Sequence, residues 1–204
     1  DVSCYGGNDG SAIVYSSGGI GDYTYQWNDI NLQSTQQAVA LQAGTFIVTV
    51  TDSALCSVFD TVVIFDPEIL DVQITANSNI SCYGLSDGSL VSSVIGGTSP
   101  YSYSWSGPNL YISNLSSIDN LLAGSYVLSV TDDKGCEDTV SWIIAEPMPL
   151  SIIVDVSNPL CNNDLNGIID IQISGGTQPY DANYLSGVIT YPANDSIVIT
   201  EVGA

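Results

Sequence analysis

"SCYGGNDGSA", residues 3–12, returns as "SCYGLSDGSL", residues 81–90. An altered third copy, "CNNDLNG", begins at Cys161. The cysteines Cys4, Cys82 and Cys161 stand 78 and then 79 residues apart, and other landmarks move with them. Gly10, Gly88 and Gly167 keep their distance from the cysteine, as do the pairs Gly18-Gly19, Gly96-Gly97 and Gly175-Gly176, and then Tyr23, Tyr101 and Tyr180. Trp27 and Trp105 correspond, with Tyr184 in the third copy. Farther on, "LQAGTFIVTVTD" (41–52) matches "LLAGSYVLSVTD" (121–132), Cys56 matches Cys136, and "FDPE" (65–68) matches "AEPM" (145–148). A fixed period of this size signals one supersecondary unit repeated in tandem.

The units are read as residues 1–66, 67–146 and 147–204. The first lacks the opening strand that "EILDVQITANSNIS" (68–81) supplies to the second, and the third is truncated before its second cysteine.

Within each unit the hydrophobic period is that of strands. Ile169, Ile171 and Ile173 alternate with Asp170, Gln172 and Ser174, and Tyr23, Tyr25 and Trp27 share one face, as do Tyr101, Tyr103 and Trp105. Phe46, Val48 and Val50, then Tyr126, Leu128 and Val130, do the same. Glycine, proline and Asx clusters punctuate these runs, and only Gln36 to Leu41 leaves helix or strand open. The expected fold is all-β, as tandem immunoglobulin-like β-sandwich repeats of about 80 residues. The dipeptides Asp9-Gly10, Asp87-Gly88 and Asn166-Gly167 are read as turns, the polar side chain bonding nearby amides and the glycine taking positive φ.

Composition narrows the function. Hydrophobic residues make up 45% of the 204, which suits a folded chain. Against 22 Asp and Glu stands a single basic residue, Lys134, for a net charge of −21. Such a surface repels phosphate backbones and anionic lipid, which argues against nucleic acid and direct membrane insertion as partners. With no histidine, a Ser-His-Asp triad, a Cys-His pair and the common zinc sites are excluded, and the chain is not read as an enzyme. No cofactor is expected, with calcium as the one small ligand considered. It needs six to eight oxygens, and Asp66, Glu68 and Asp71 around the first unit boundary could supply some; solvated linker acids are the alternative reading. Tyr5, Tyr15 and Tyr83 are candidates for stacking on sugar rings, with packing beside the cysteine as the rival for Tyr5 and Tyr83.

Five cysteines with almost no lysine suggest an oxidising, extracellular setting. Cys4 with Cys56 and Cys82 with Cys136 are the expected disulfides, since each complete copy holds one cysteine of each kind; Cys161 is left with a partner beyond the segment. The alternative joins neighbours, Cys56 with Cys82. The count of strands between residues 29 and 43 decides whether both cysteines of a unit lie at one end.

The phrases "CYGGNDGSAIVYSSGG", "YTYQW", "LQAGTFIVTVTD" and "DPE", repeated as "CYGLSDGSLVSSVIGG", "PYSYSW", "LLAGSYVLSVTD" and "EP", resemble the SprB repeat of flavobacterial surface proteins across essentially the whole chain. "LAGSYVLSVTD" also resembles the matching strand of polycystic-kidney-disease-type sandwiches, over a shorter stretch. The SprB resemblance implies a segment of a long repetitive adhesin at the extracellular cell surface, held to the outer membrane through other parts of the protein. It implies a stalk and adhesive role in attachment and gliding motility. The implied partners are neighbouring repeats, external surfaces or polysaccharide, and the type IX secretion and gliding machinery. A carbohydrate-binding or accessory module of a secreted polysaccharide-degrading protein is the alternative. Ser53, Thr61, Thr139 and Ser196 each follow aspartate and precede an apolar residue, resembling the bacterial O-glycosylation acceptor of this phylum.

Overall fold

In a computed structural model the backbone is described for residues 1–157, 167–184, 187–191 and 196–202, and the side chains for 1–157 and 169–180. Every regular element in the first group of strands is extended: β1 (Gly10–Ile13), β2 (Thr24–Trp27), β3 (Gln37–Leu41), β4 (Gly44–Thr51) and β5 (Ser57–Ile64). A second group holds β6 (Asp71–Ser78), β7 (Gly88–Ile95), β8 (Ser102–Gly107), β9 (Tyr111–Ser113), β10 (Ser117–Leu121), β11 (Gly124–Thr131) and β12 (Glu137–Ile144). A third follows with β13 (Ser151–Ser157), β14 (Gly167–Ser174), β15 (Tyr180–Tyr184), β16 (Gly187–Tyr191) and β17 (Ser196–Val202). The ambiguous stretch at Gln36 is thus strand β3.

The second group is a sandwich. One sheet runs β6-β7-β10 and the other β9-β8-β11-β12, all pairs antiparallel. Leu90 and Ile118 from the first sheet meet Trp105, Tyr126, Leu128 and Ile144 from the second, all buried. Seven strands in two facing sheets around a buried tryptophan give the immunoglobulin-type architecture. The first group repeats the plan without its opening strand, placing β1-β3 over β2-β4-β5 with Trp27 buried between. Its core is a separate cluster. In the third group, β13-β14-β17 and β15-β16 match the corresponding strands of the second.

The spaced landmarks are one corner, built three times. Tyr23, Tyr101 and Tyr180 each donate their hydroxyl to the carbonyl of the glycine five residues upstream: Gly18, Gly96 and Gly175. Gly96 has φ +67°, and a Cβ there would lie 2.0 Å from Ile69 O; at Gly175 the same 2.0 Å separates it from Pro149 O. Only glycine lets the incoming linker pass so close.

The Asp-Gly turns need a correction. Asp9 and Asp87 do accept the amides of Ser3 at 2.8 Å and Ser81 at 3.1 Å. Gly10 and Gly88, however, begin strands β1 and β7, and the positive φ values fall on Gly6 (+70°) and Gly84 (+78°) instead. Gly10 is required for space, since a Cβ would sit 2.8 Å from Leu41 O; Gly88 faces Ile144 Cγ2 at 2.9 Å. Asn166 of the third copy lies outside the described residues.

Candidate functional site

Each sandwich has two unlike ends, and sequence chemistry fixes both. At the lower end, the Cys-Tyr-Gly turn is tied to the finish of the last strand. Val2 N–H donates to Phe65 O at 3.3 Å and Gly6 N–H to Asp66 Oδ1 at 2.9 Å. In the second sandwich Ile80 N–H donates to Ala145 O at 2.9 Å and Gly84 N–H to Glu146 Oε2 at 3.0 Å. At the upper end, the aspartate closing the "VTD" motif gathers the turn before the last strand. Asp132 Oδ1 accepts from Lys134 N–H at 2.8 Å and Cys136 N–H at 2.9 Å, while Oδ2 accepts from Thr98 N–H at 2.7 Å. Asp52 does the same for Ala54, Cys56 and Ile20, at 2.9, 2.9 and 3.0 Å.

Cys4 therefore lies where β5 ends, and Cys56 where β5 begins. Eight strand residues at about 3.4 Å each separate them by roughly 27 Å, against the 7 Å or so of Cα separation a disulfide tolerates. The expected pairs Cys4 with Cys56 and Cys82 with Cys136 are thus corrected, and so is Cys56 with Cys82, which would span two sandwiches. Cys4 is bonded to Cys136, with Cα atoms 5.6 Å apart. The lower end of the first sandwich is locked to the upper end of the second. Cys136 Sγ also lies 3.4 Å from Ser3 O. Among the described residues Cys56 and Cys82 are exposed and unpaired; Cys161 lies outside them.

The linker is short and held at both sides. Asp66 caps the first sandwich, and two residues later Glu68 O accepts Gly97 N–H of the second at 3.0 Å. Leu70 is then buried. The next joint repeats this spacing: Glu146 caps Gly84, and Met148 O accepts Gly176 N–H at 2.7 Å. Thr177 Oγ1 donates to Ser81 O at 3.3 Å across the same joint.

The SprB repeat model matches residues 1–32, 74–110 and 153–181, one match per copy and each spanning a first cysteine. All three copies match the SprB repeat family model. That family points to a repetitive adhesin region at the cell surface. No curated protein matches the chain. Among solved structures, the chain is similar to one in the crystal structure of Dpr2 Ig1-Ig2 in complex with DIP-Theta Ig1-Ig3, at 14% identity and a TM-score of 0.29, covering 88% of this chain and 80% of that one. It is also similar to one in a study of the structural basis for Dscam isoform specificity, at 10% identity and a TM-score of 0.28, covering 89% and 58%.

The other candidate residues of the SprB repeats fall into place around these ends. Asp66, Glu68 and Asp71 do not converge on a cation. Asp66 holds Gly6, Asp71 Oδ2 accepts Gln73 Nε2 at 2.6 Å, and Glu68 contributes its backbone carbonyl to Gly97. Among the described residues no group of three or more Asp, Glu, His or Cys could hold a metal ion, so the calcium reading is corrected: these acids serve the linker and its neighbouring strand.

Tyr5 and Tyr83 are 61% and 58% exposed, and Tyr15 is 81% exposed. Tyr15 lines a groove of about 410 Å³ with Gly18, Gly19, Asp52, Val58 and Phe59. In the second SprB repeat the same seat is filled by Leu70 and β6, with Leu70 Cδ1 2.9 Å from a Cβ placed at Gly97. The groove lies where β6 sits in the second sandwich.

Thr61 and Thr139 are exposed on the outer strands β5 and β12. Ser53 is exposed too, but its hydroxyl accepts Asp22 N–H at 3.0 Å and donates to Asp22 O at 3.3 Å. The side chain of Ser196 lies outside the described residues.

The carboxylates that tie the turns set the acid limit of the fold. Ser3 lowers the pKa of Asp9, the Cys56 and Ile20 amides lower that of Asp52, and Ser81 lowers that of Asp87, each from an ordinary 3.8. For Asp132 and Asp29 burial alone would raise it, but hydrogen bonds from Thr98, Cys136 and Lys134, and from Gln33, outweigh burial and leave both lowered. A depressed folded-state pKa contributes stability above the unfolded value and loses it as pH falls through the folded one. Relief of the −21 net charge acts in the opposite sense above that range. The melting temperature at pH 5 is therefore expected to equal or exceed that at pH 7 and to drop below about pH 4; a scan by circular dichroism checks it, and a steady fall from pH 7 to 5 would refute it.

Proposed function

We propose that residues 1–66, 67–146 and 147–204 are successive modules of a long repetitive extracellular adhesin, serving as stalk and adhesive surface in cell-surface attachment and gliding motility. The observation that carries this reading is the joint. A covalent bond, a capped turn and a linker fixed at both ends within two residues make successive modules a directed rod. A rod of acidic, separately cored modules suits a role in which reach and surface matter. The SprB match supports export by the type IX route and contact with the gliding machinery through other parts of the protein. The partners on this reading are neighbouring repeats and external surfaces or polysaccharide. Exposed Thr61 and Thr139 suit O-linked sugars, whereas a sugar on Ser53 would displace its bonds to Asp22.

A second reading, a carbohydrate-binding module, draws on the exposure of Tyr5, Tyr15 and Tyr83. The two separate by valency. The segment coupled densely to beads is expected to hold them on polysaccharide-coated glass, while the single segment shows no saturable binding below millimolar glycan, because tethered weak contacts multiply. Saturable micromolar binding of the single segment, abolished by Tyr15→Ala or Tyr83→Ala, would establish the second reading instead.

A further inference from the structure

We propose that Cys82 and Cys56 are halves of the same bond already formed between Cys4 and Cys136, so that each SprB repeat is disulfide-bonded at its lower end to the next repeat and at its upper end to the one before. The bond is a ladder and not a set of internal staples. Polarity is the first reason. Cys82 lies in the lower turn of its sandwich, tied to the end of β12 by Ile80 and Gly84, as Cys4 is tied to the end of β5. Cys56 occupies the upper turn held by Asp52, as Cys136 occupies the one held by Asp132. Neither can reach a cysteine of its own sandwich, and each is free and exposed.

The joint beyond Cys82 supplies the second reason, independently of any cysteine. Glu146 and Met148 O bind the two modules they connect at the same spacing as Asp66 and Glu68 O. Thr177, the counterpart of Thr98, donates to Ser81 O beside Cys82. Thr98 shares Asp132 with Cys136, whose sulfur touches Ser3 O beside Cys4. The third module's upper end is thus presented to Cys82 as the second module's upper end is presented to Cys4. The partner of Cys82 is the third repeat's counterpart of Cys136, and the partner of Cys56 is the counterpart of Cys4 in a repeat on its upper side.

Each bond forms by loss of a proton and an electron from each of two thiols, two of each in all. An oxidised protein or small-molecule disulfide accepts them and leaves as two thiols. In such a ladder the shortest covalent path from Cys4 to Cys161 crosses one bond and the 25 residues after Cys136, in place of 157 residues. Unfolding a module then adds little length to the array.

The test inserts a second copy of residues 67–146, carrying Cys82→Ser and Glu137→Asp so that its peptides differ in mass from those of the first copy, directly after Glu146 in the full chain, blocks free thiols by alkylation and maps peptides without reduction. The expected result is two bridges, Cys4 to the first Cys136 and Cys82 of the first copy to Cys136 of the inserted one. Cys82 alkylated, or bonded within its own repeat, while Cys4 is bridged to Cys136 would overturn the proposal. The same mapping on the parent polypeptide, alkylated on living cells, removes dependence on the inserted copy; an alkylated Cys82 there overturns it equally.

Discussion

Cys136→Ser is expected to lengthen the fully extended chain by roughly 460 Å, the contour of the 132 residues that separate Cys4 from Cys136, at about 3.5 Å per residue. Pulled by its two termini without reductant, the native chain transmits force from Cys4 to Cys136 through sulfur and shields both sandwiches between. With serine at 136, or with reductant added, that length becomes available as the two cores give way. Single-molecule extension curves read the difference directly. Equal contour lengths for the native chain and the variant would mean that force does not pass through this bond.

Trp105→Ala is expected to cost about 3–5 kcal/mol and to melt the second sandwich selectively. Trp105 is buried between both sheets with Leu90, Ile118 and Leu128, so truncation loses its transfer energy and leaves a cavity. It also strands Leu115 O, which accepts the indole N–H at 2.9 Å. Because the first core, around Trp27, is a separate cluster, its urea transition is expected to persist while that of the second moves to lower denaturant. Trp27→Ala should give the reverse, again removing an indole bond, to Thr35 O at 2.9 Å. A single transition that shifts alike in both variants would show that the two cores fold as one.

Much of this was legible in the residues, for local reasons. Alternation at Tyr101, Tyr103 and Trp105 and at Tyr126, Leu128 and Val130 is a backbone period, and it put those side chains on faces that the structure pairs across β8 and β11. The glycine pairs and tyrosines announced a corner because only glycine tolerates the passing linker there.

The cysteine partners were not legible, and the cause is one segment. The chain leaves β2 at the lower end and enters β3 at the upper, so residues 28–36 must climb the sandwich. In the second repeat the climb is made by β9, paired to β8; in the first it carries no regular strand. Without that climb the count of strands places Cys56 beside Cys4. Including it places them at opposite ends. The roles of Asp52, Asp132, Asp66 and Glu146 were also unread, although "VTD" and the acids before Pro67 and Pro147 recur in register. A recurring acid beside a recurring turn is a signal for a backbone cap, and it was available.

The bond between neighbouring sandwiches is tested most directly by peptide mapping of the alkylated, unreduced chain. The account predicts one cross-linked species joining the peptide of Cys4 to that of Cys136, with Cys56 and Cys82 carrying the alkyl label. A peptide of Cys4 joined to that of Cys56, or of Cys82 to that of Cys136, would contradict it.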